Sequence, residues 1–412
     1  MRLLIGLATL TFAGTTLGLS VLGQDAPALG NKNSKGKSSV TKASVPVVES
    51  INETMQKFVD SGVVSGAVTL VAKDGRISHL GSVGLADLDE QKPMRTNAIF
   101  SIASMTKPIT ATAVMMLVEE GKLDLDDKVS HYIPEFANVR LANGELPARE
   151  ITIRDALTHT SGLKGDQVFR GSLADAVDEI ATRPLAFQPG TEWKYSPGLN
   201  VCGRIVEIVA EQPFESFVKE RIFDPLKMRN TTFHVNEAQR KRMPALYGLG
   251  EDKKSLAEAD NRISGFSKDD GPNPSGGLAS TARDMFQFYS MVLGNGRHRG
   301  QRILASSSVA DMTRCQTGDL KTGFTPGNGW GLGWCVVQEP QGVTAMLSKG
   351  TFGHGGAFGT QGWVDPKTKT IYVLMIQRTQ MGNSDGSEIR KAFQQAAVNT
   401  LGSGDADSGN QN

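Results

Sequence analysis

The chain has 412 residues, 39% of them apolar, and its 44 Lys plus Arg are balanced by 43 Asp plus Glu. Such a length can bury a large core, on the order of two to three domain-sized units. The even charge excludes a global bias toward nucleic acid or an anionic membrane surface.

Arg2 precedes an apolar stretch from Leu3 to Leu22, followed by Gly23-Gln24-Asp25. Charge, apolar segment and small residue read as a secretory signal peptide over 1–23, which implies export to the periplasm or beyond. An uncleaved anchor helix is the alternative. After it, no apolar run reaches the roughly 18 residues that a membrane span needs. Residues 24–47 are rich in Ser, Gly and Asn and carry Lys32, Lys35, Lys37 and Lys42, which predicts a disordered basic linker. A folded domain is expected over 48–402 and a disordered tail over 403–412.

Within the domain, an amphipathic helix is predicted from Val47 to about Val59. A hairpin follows, Gly66–Ala72 and Ile77–Gly84, around the turn signal Asp74-Gly75. Residues from about 123 to 300 read as a mostly helical lobe with long loops. Thr152-Ile153-Arg154-Asp155 has the form of a capping box, and further helices are expected over Val201–Ala210 and Phe214–Ile222. Gly331–Val337 reads as one strand, and Thr360–Val364 with Ile371–Ile376 as a second hairpin around Asp365-Pro366. A last helix spans about Ser387 to Leu401. Hairpins at both ends around a helical middle predict an α+β fold, with an antiparallel sheet assembled from the two chain ends.

The chemistry centres on Ser104-Met105-Thr106-Lys107. A hydroxyl and an amine three residues apart share one helix face, and an adjacent amine is one way to activate a serine. Ser-x-x-Lys also occurs at Ser34, Ser39, Ser161 and Ser216, but only Ser104 opens a nearly all-apolar run, Ile109 to Val118, that belongs in a core. Tyr195, in a loop ahead of the Val201 helix, is a candidate proton shuttle. His354-Gly355-Gly356, followed by Ala357, is a candidate substrate cradle, because glycines leave backbone N–H groups open to a ligand. Cys202, Cys315 and Cys335 have no neighbouring His and no Cys-x-x-Cys spacing, so neither a metal nor a redox role is expected. One disulfide or three buried thiols both fit.

Taken together, these segments resemble the serine β-lactamase and penicillin-binding-protein superfamily, in the branch of class C β-lactamases, DD-peptidases and family VIII esterases. The resemblance covers roughly residues 48–400 and includes Thr152–Gly162 and Phe223–Met228 beside Ser101–Pro108. It implies that Ser104 attacks an acyl carbonyl while Lys107 lowers its proton affinity. Tyr195 would act as general base and pass the proton to the leaving group. The N–H groups of Ser104 and Ala357 would form the oxyanion hole, with His354, Gly355 and Gly356 against the substrate. His159 is expected to be structural, at a helix end.

Two positions depart from the family pattern. Pro197 stands where the second motif often has Asn, which removes an amide that would bind a substrate amide. His354 stands where class C β-lactamases usually have the Lys of Lys-Thr-Gly. The literal Lys321-Thr322-Gly323 lies in a Gly/Pro-rich loop with no following hairpin and is set aside. The expected function is therefore a cofactor-free, metal-independent serine hydrolase, esterase-like, acting on a small ester or amide or a peptidoglycan-derived substrate. The alternatives are a class C-type β-lactamase or DD-peptidase, and a non-catalytic wall-binding or sensing protein on the same scaffold.

Overall fold

The computed structural model describes residues 49–165, 169–259, 270–323, 325–382 and 384–407. The predicted signal peptide and all of the linker lie outside the described residues.

Strands from both chain ends build one sheet. Near the N-terminus, β1 (Gly66–Lys73) and β2 (Arg76–Asp87) are joined through Asp74 and Gly75, whose φ values are 52° and 76°. Two consecutive positive φ values are what a tight two-residue hairpin turn demands, and Asp-Gly supplies them. The other strands are β3 (Lys92–Pro93), β4 (Asn328–Trp330), β5 (Cys335–Val337), β6 (Phe352–Gly355), β7 (Gln361–Asp365) and β8 (Thr370–Met375). Their order is β4-β5-β6-β7-β8-β1-β2-β3, antiparallel throughout. The two chain ends meet at the β8–β1 ladder, where Val68 pairs with Met375.

Side-chain alternation sends each central strand into two cores. On β1, Val68, Leu70 and Ala72 enter one core and Ala67 and Val71 the other. On β8, Ile371, Val373 and Met375 join the first, and Tyr372 and Leu374, with Ile376 just beyond the strand, the second. The second core is closed by α1 (Ile51–Asp60) and α7 (Glu388–Asp407). The first is filled by α2 (Lys107–Glu119) and α6 (Ala282–Leu293), and it continues into the helices α3 (Ile153–Thr158), α4 (Leu173–Ala181) and α5 (Gly198–Ala210). Helix α2 buries every residue from Lys107 to Leu117. Among the described residues, no helix is long and apolar enough to cross a membrane.

Four boundaries differ from expectation. Helix α1 starts at Ile51 rather than Val47, because Ser50 and Glu53 form a reciprocal capping box. The single strand expected over Gly331–Val337 is a hairpin of β4 and β5, since Gly333 takes φ 74° and Gly331 N–H bonds Trp334 O at 2.8 Å. The Phe214 helix runs past Pro225 to Leu226 through a widened π turn over Lys219–Phe223. Helix α7 passes Leu401 and Gly402 to reach Asp407.

Candidate active site

Ser104 and Lys107 are brought together by a change of helix type. Ala103–Thr106 forms a 3-10 turn that runs directly into α2. In such a turn residues three apart eclipse each other, and Lys107 Nζ donates to Ser104 Oγ at 3.1 Å. Ala103, just before the serine, holds φ at 43°, a left-handed backbone that a residue with a Cβ adopts only under constraint. Lys107 is 0% exposed, and burial pushes its pKa well below the ordinary 10.5. Its second acceptor is Ser275 O at 2.6 Å.

Ser275 and its support are not visible from the sequence motifs. Asn200 on α5 accepts the Ser275 N–H at 2.9 Å, and Thr110 Oγ1 donates to Pro274 O at 2.7 Å. Pro274-Ser275-Gly276-Gly277 is a loop break whose only local signal is its Gly and Pro content. Asn200 lies three residues beyond Pro197, and its amide holds this loop.

Tyr195 completes the cluster. Its ring lies 4.6 Å from Lys107 Nζ and its hydroxyl is hydrogen-bonded to the Ser104 side chain. The same hydroxyl is 3.4 Å from His354 Nε2. Burial pushes the phenol above its ordinary value of 10, so Tyr195 keeps its proton. His354 is 1% exposed, and its Nδ1 lies 2.6 Å from Gly355 O. A carbonyl only accepts, so Nδ1 carries the hydrogen and Nε2 is left to accept from Tyr195. Burial, with Lys107 nearby, lowers the His354 pKa to about 3, and the ring is neutral.

His159 holds Tyr195 in place. It caps α3 in the left-handed conformation, φ 61°, and is 0% exposed. Its carbonyl accepts the Lys194 N–H at 3.0 Å and its Nδ1 accepts the Ser196 N–H at 3.1 Å, which brackets Tyr195 on both sides. The imidazole lies 4.5 Å from the Tyr195 ring, centroid to centroid, and 5.1 Å from that of Trp330. His159→Asn keeps an acceptor near the Nδ1 position and tolerates the left-handed backbone, but it removes the ring. We expect kcat to fall about 10-fold through misplacement of the tyrosine with KM little changed. An unaltered kcat in steady-state assays would show that the bracket alone suffices.

The glycine strand is not at the sheet edge. Its first residues, Phe352 and Gly353, pair with β5, but His354 and Gly355 extend past β5 and pair only with β7. This overhang faces a cavity of about 190 Å³ lined by Ser104, Tyr195, His354, Gly355, Gly356 and Ala357, together with Gly382, Ser384 and Asp385. All of the predicted site residues except Lys107 line it, and Lys107 lies buried beneath Ser104. Pro197 does not reach it; it caps α5 instead. Gly356 leaves no room for a Cβ, which would strike Thr360 Oγ1 and Ile102 O.

The competing motifs stay away from this cavity. Lys219 of the Ser216 motif pairs with Asp224 at 2.7 Å, and Ser161 is 0% exposed with its Oγ accepting the Leu163 N–H at 3.3 Å. Lys321 is exposed in the loop ahead of the outermost strand β4, where the Thr322 hydroxyl bonds Asn328 O. Ser34 and Ser39 lie outside the described residues. All three cysteines are free, with Cys202 and Cys335 buried.

Comparison with known proteins places this architecture. Residues 51–397 match the Beta-lactamase family model. Esterase EstB of Burkholderia gladioli is 32% identical over 354 residues, 78% of this chain and 88% of that protein. Penicillin-binding protein 4 of Amycolatopsis lactamdurans is 34% identical over 309 residues, 72% of this chain and 76% of its own. Among solved structures, EstCE1, described as a hydrolase with promiscuous acyltransferase activity, superposes with a TM-score of 0.72 at 25% identity, covering 84% of this chain and 97% of its own. Since the match runs from the first helix of the sheet layer into the last, the chain belongs to the beta-lactamase family, a serine hydrolase family that also contains esterases and penicillin-binding proteins.

Proposed function

We propose that the chain is a serine esterase that cleaves short-chain esters through an acyl-enzyme on Ser104. The observation that carries this reading is the 3.1 Å contact of a buried Lys107 with Ser104, at a cavity whose described lining has no side-chain amide. With its proton affinity lowered by burial, Lys107 takes the serine proton as Oγ attacks the acyl carbonyl. The Ser104 and Ala357 N–H groups hold the oxyanion. Tyr195, a phenol rather than a phenolate, gives its proton to the departing alkoxide and is reprotonated by the Lys107 ammonium. This reverses the expected first role of the tyrosine, because a group that retains its proton is a better acid than base. Water then attacks the acyl-enzyme, giving a proton to Lys107, which returns it to the departing Ser104 Oγ as the acid is released.

A cavity of about 190 Å³ is below the roughly 300 Å³ at which pockets for drug-sized ligands begin, which favours a short acyl group. Recognition of a β-lactam or peptide amide would need a side-chain partner of the kind Pro197 lacks. The test compares p-nitrophenyl butyrate, a chromogenic cephalosporin and a peptide ending in D-Ala-D-Ala. We expect kcat/KM for the ester to exceed that for the cephalosporin by about 10²-fold or more. A faster cephalosporin or peptide would replace this reading with a β-lactamase or peptidase.

A further inference from the structure

One wall of the cavity has no role in the proposed chemistry. Asp385 lies in the single 3-10 turn Ser384–Gly386 ahead of α7 and is 4% exposed. The Gly355 N–H and the Gln361 side chain, both potential donors, face its carboxylate and act to lower its pKa. The turn is stitched to the end of the glycine strand by Ser384 Oγ, which donates to Gly356 O at 2.9 Å, and to the neighbouring β7 by Gln361 Nε2, which donates to Ser384 O at 3.0 Å. This carboxylate is therefore fixed beside the backbone against which a substrate lies.

The matching positive charge is turned away from the substrate. Arg390 is 0% exposed, donates to Asp385 O at 2.6 Å, and stacks on the Trp363 ring at 3.8 Å. It does not line the cavity, and neither does any other Lys or Arg among the described residues. Burial raises the Asp385 pKa, while Arg390 and the two donors oppose that rise. The imidazole of His354 is neutral, with Nδ1–H committed to Gly355 O and Nε2 facing the Tyr195 hydroxyl. A carboxylate on the substrate would thus be placed near a buried carboxylate and would find no side-chain cation to pair with among the described residues that line the cavity.

We infer that the site selects against anionic acyl groups, so that its substrate is an uncharged or cationic ester, and that Asp385 is the residue that discriminates. This rests on the esterase reading above. Like charges held several ångströms apart at an effective dielectric constant of about 20 disfavour the wrong substrate by about 10- to 100-fold in rate.

The test uses three p-nitrophenyl esters, with uncatalysed hydrolysis subtracted: the butyrate, the monoester of succinic acid, and the 4-(trimethylammonio)butyrate. The succinate differs from the butyrate mainly in carrying a carboxylate in place of the terminal methyl. For wild-type enzyme, kcat/KM is expected to be 10- to 100-fold lower for the succinate than for the butyrate, and at least equal to the butyrate for the cationic ester. In Asp385→Asn the penalty on the succinate should shrink toward unity. Equal or faster hydrolysis of the succinate by wild-type enzyme overturns the inference while leaving the esterase reading intact. An undiminished penalty in a folded Asp385→Asn enzyme removes Asp385 from the role. Should that variant not fold, the wild-type comparison of the three esters decides. Failure to hydrolyse any of the three overturns the esterase reading and this inference with it.

Discussion

Ser104→Ala is expected to reduce kcat by about 10⁶-fold and to abolish labelling by a serine-directed phosphonate. Loss of the nucleophile in a serine hydrolase removes the covalent pathway altogether and leaves only the contribution of binding and the oxyanion site. The substitution deletes one half-buried hydroxyl and its bonds to Lys107 and Tyr195, so the melting temperature should stay close to wild type. Mass spectrometry of the labelled wild-type protein should place the adduct on the peptide containing Ser104. An adduct on Ser161 or Ser216, or turnover that survives the substitution, would sink the assignment.

The second large effect is expected from Lys107→Met. Methionine fills the same apolar channel but cannot accept a proton, so kcat/KM should fall by about 10³- to 10⁴-fold, roughly 4 to 5.5 kcal/mol of barrier. Phosphonate labelling should slow in parallel, because acylation itself loses its base. By contrast, Tyr195→Phe should lose turnover while labelling with a phosphonate bearing a good leaving group persists. The pH dependence follows from the same burial. The amine must be neutral to act, so kcat/KM should decline on the acid side as Lys107 protonates in the folded enzyme, at a pH below 10.5. Stability has a corresponding sign. In the unfolded chain this lysine binds its proton near 10.5, and in the folded site only at lower pH. Lowering pH from 10.5 therefore favours the unfolded wild-type chain until the folded group also protonates. The methionine variant lacks that penalty, and its melting temperature should gain on wild type as pH falls. Unchanged labelling kinetics in Lys107→Met would show that another group is the base.

Local spacing made much of this site legible. Ser104 and Lys107 are three residues apart, and no distant contact is needed to put them on one face. Asp74-Gly75 fixes its hairpin for the same reason, since the turn's backbone demands are met within two residues. The antiparallel sheet could be anticipated because hairpins at both chain ends flank a helical middle and each needed a partner. What depended on distant chain was not legible. Ser275 meets Lys107, and Asn200 on α5 holds Ser275, only once distant segments pack around α2, and neither residue sits in a recognisable pattern. Asp385 and Arg390 belong to a turn and a helix whose polar residues read as surface until the fold buries them. His159 could be assigned to a helix end, but its stacking on Tyr195 required the aromatic cluster with Trp193 and Trp330. Gly331–Val337 misled because an apolar run does not reveal that Gly333 reverses direction within it.

The seam between the two chain ends also bears on when activity can arise. Strand β1 emerges from synthesis roughly 300 residues before β8, its partner on one side. Pairings so distant in sequence form late, since most of the chain must be in hand before the ladder can zip. The reactive serine lies on the early side of this seam, and the segment from His354 to Ala357 lies on the late side. Contacts across the seam flank the serine: Gln377 Oε1 accepts the Ser101 N–H at 3.1 Å, and Thr360 Oγ1 donates to Ile102 O at 3.3 Å. A partly made chain thus carries the nucleophile without the backbone that would stabilise its transition state, and so should remain chemically silent. Hydrolytic turnover, on the reading proposed above, then reports closure of the whole domain, which makes it a time-resolved probe of the last step in folding.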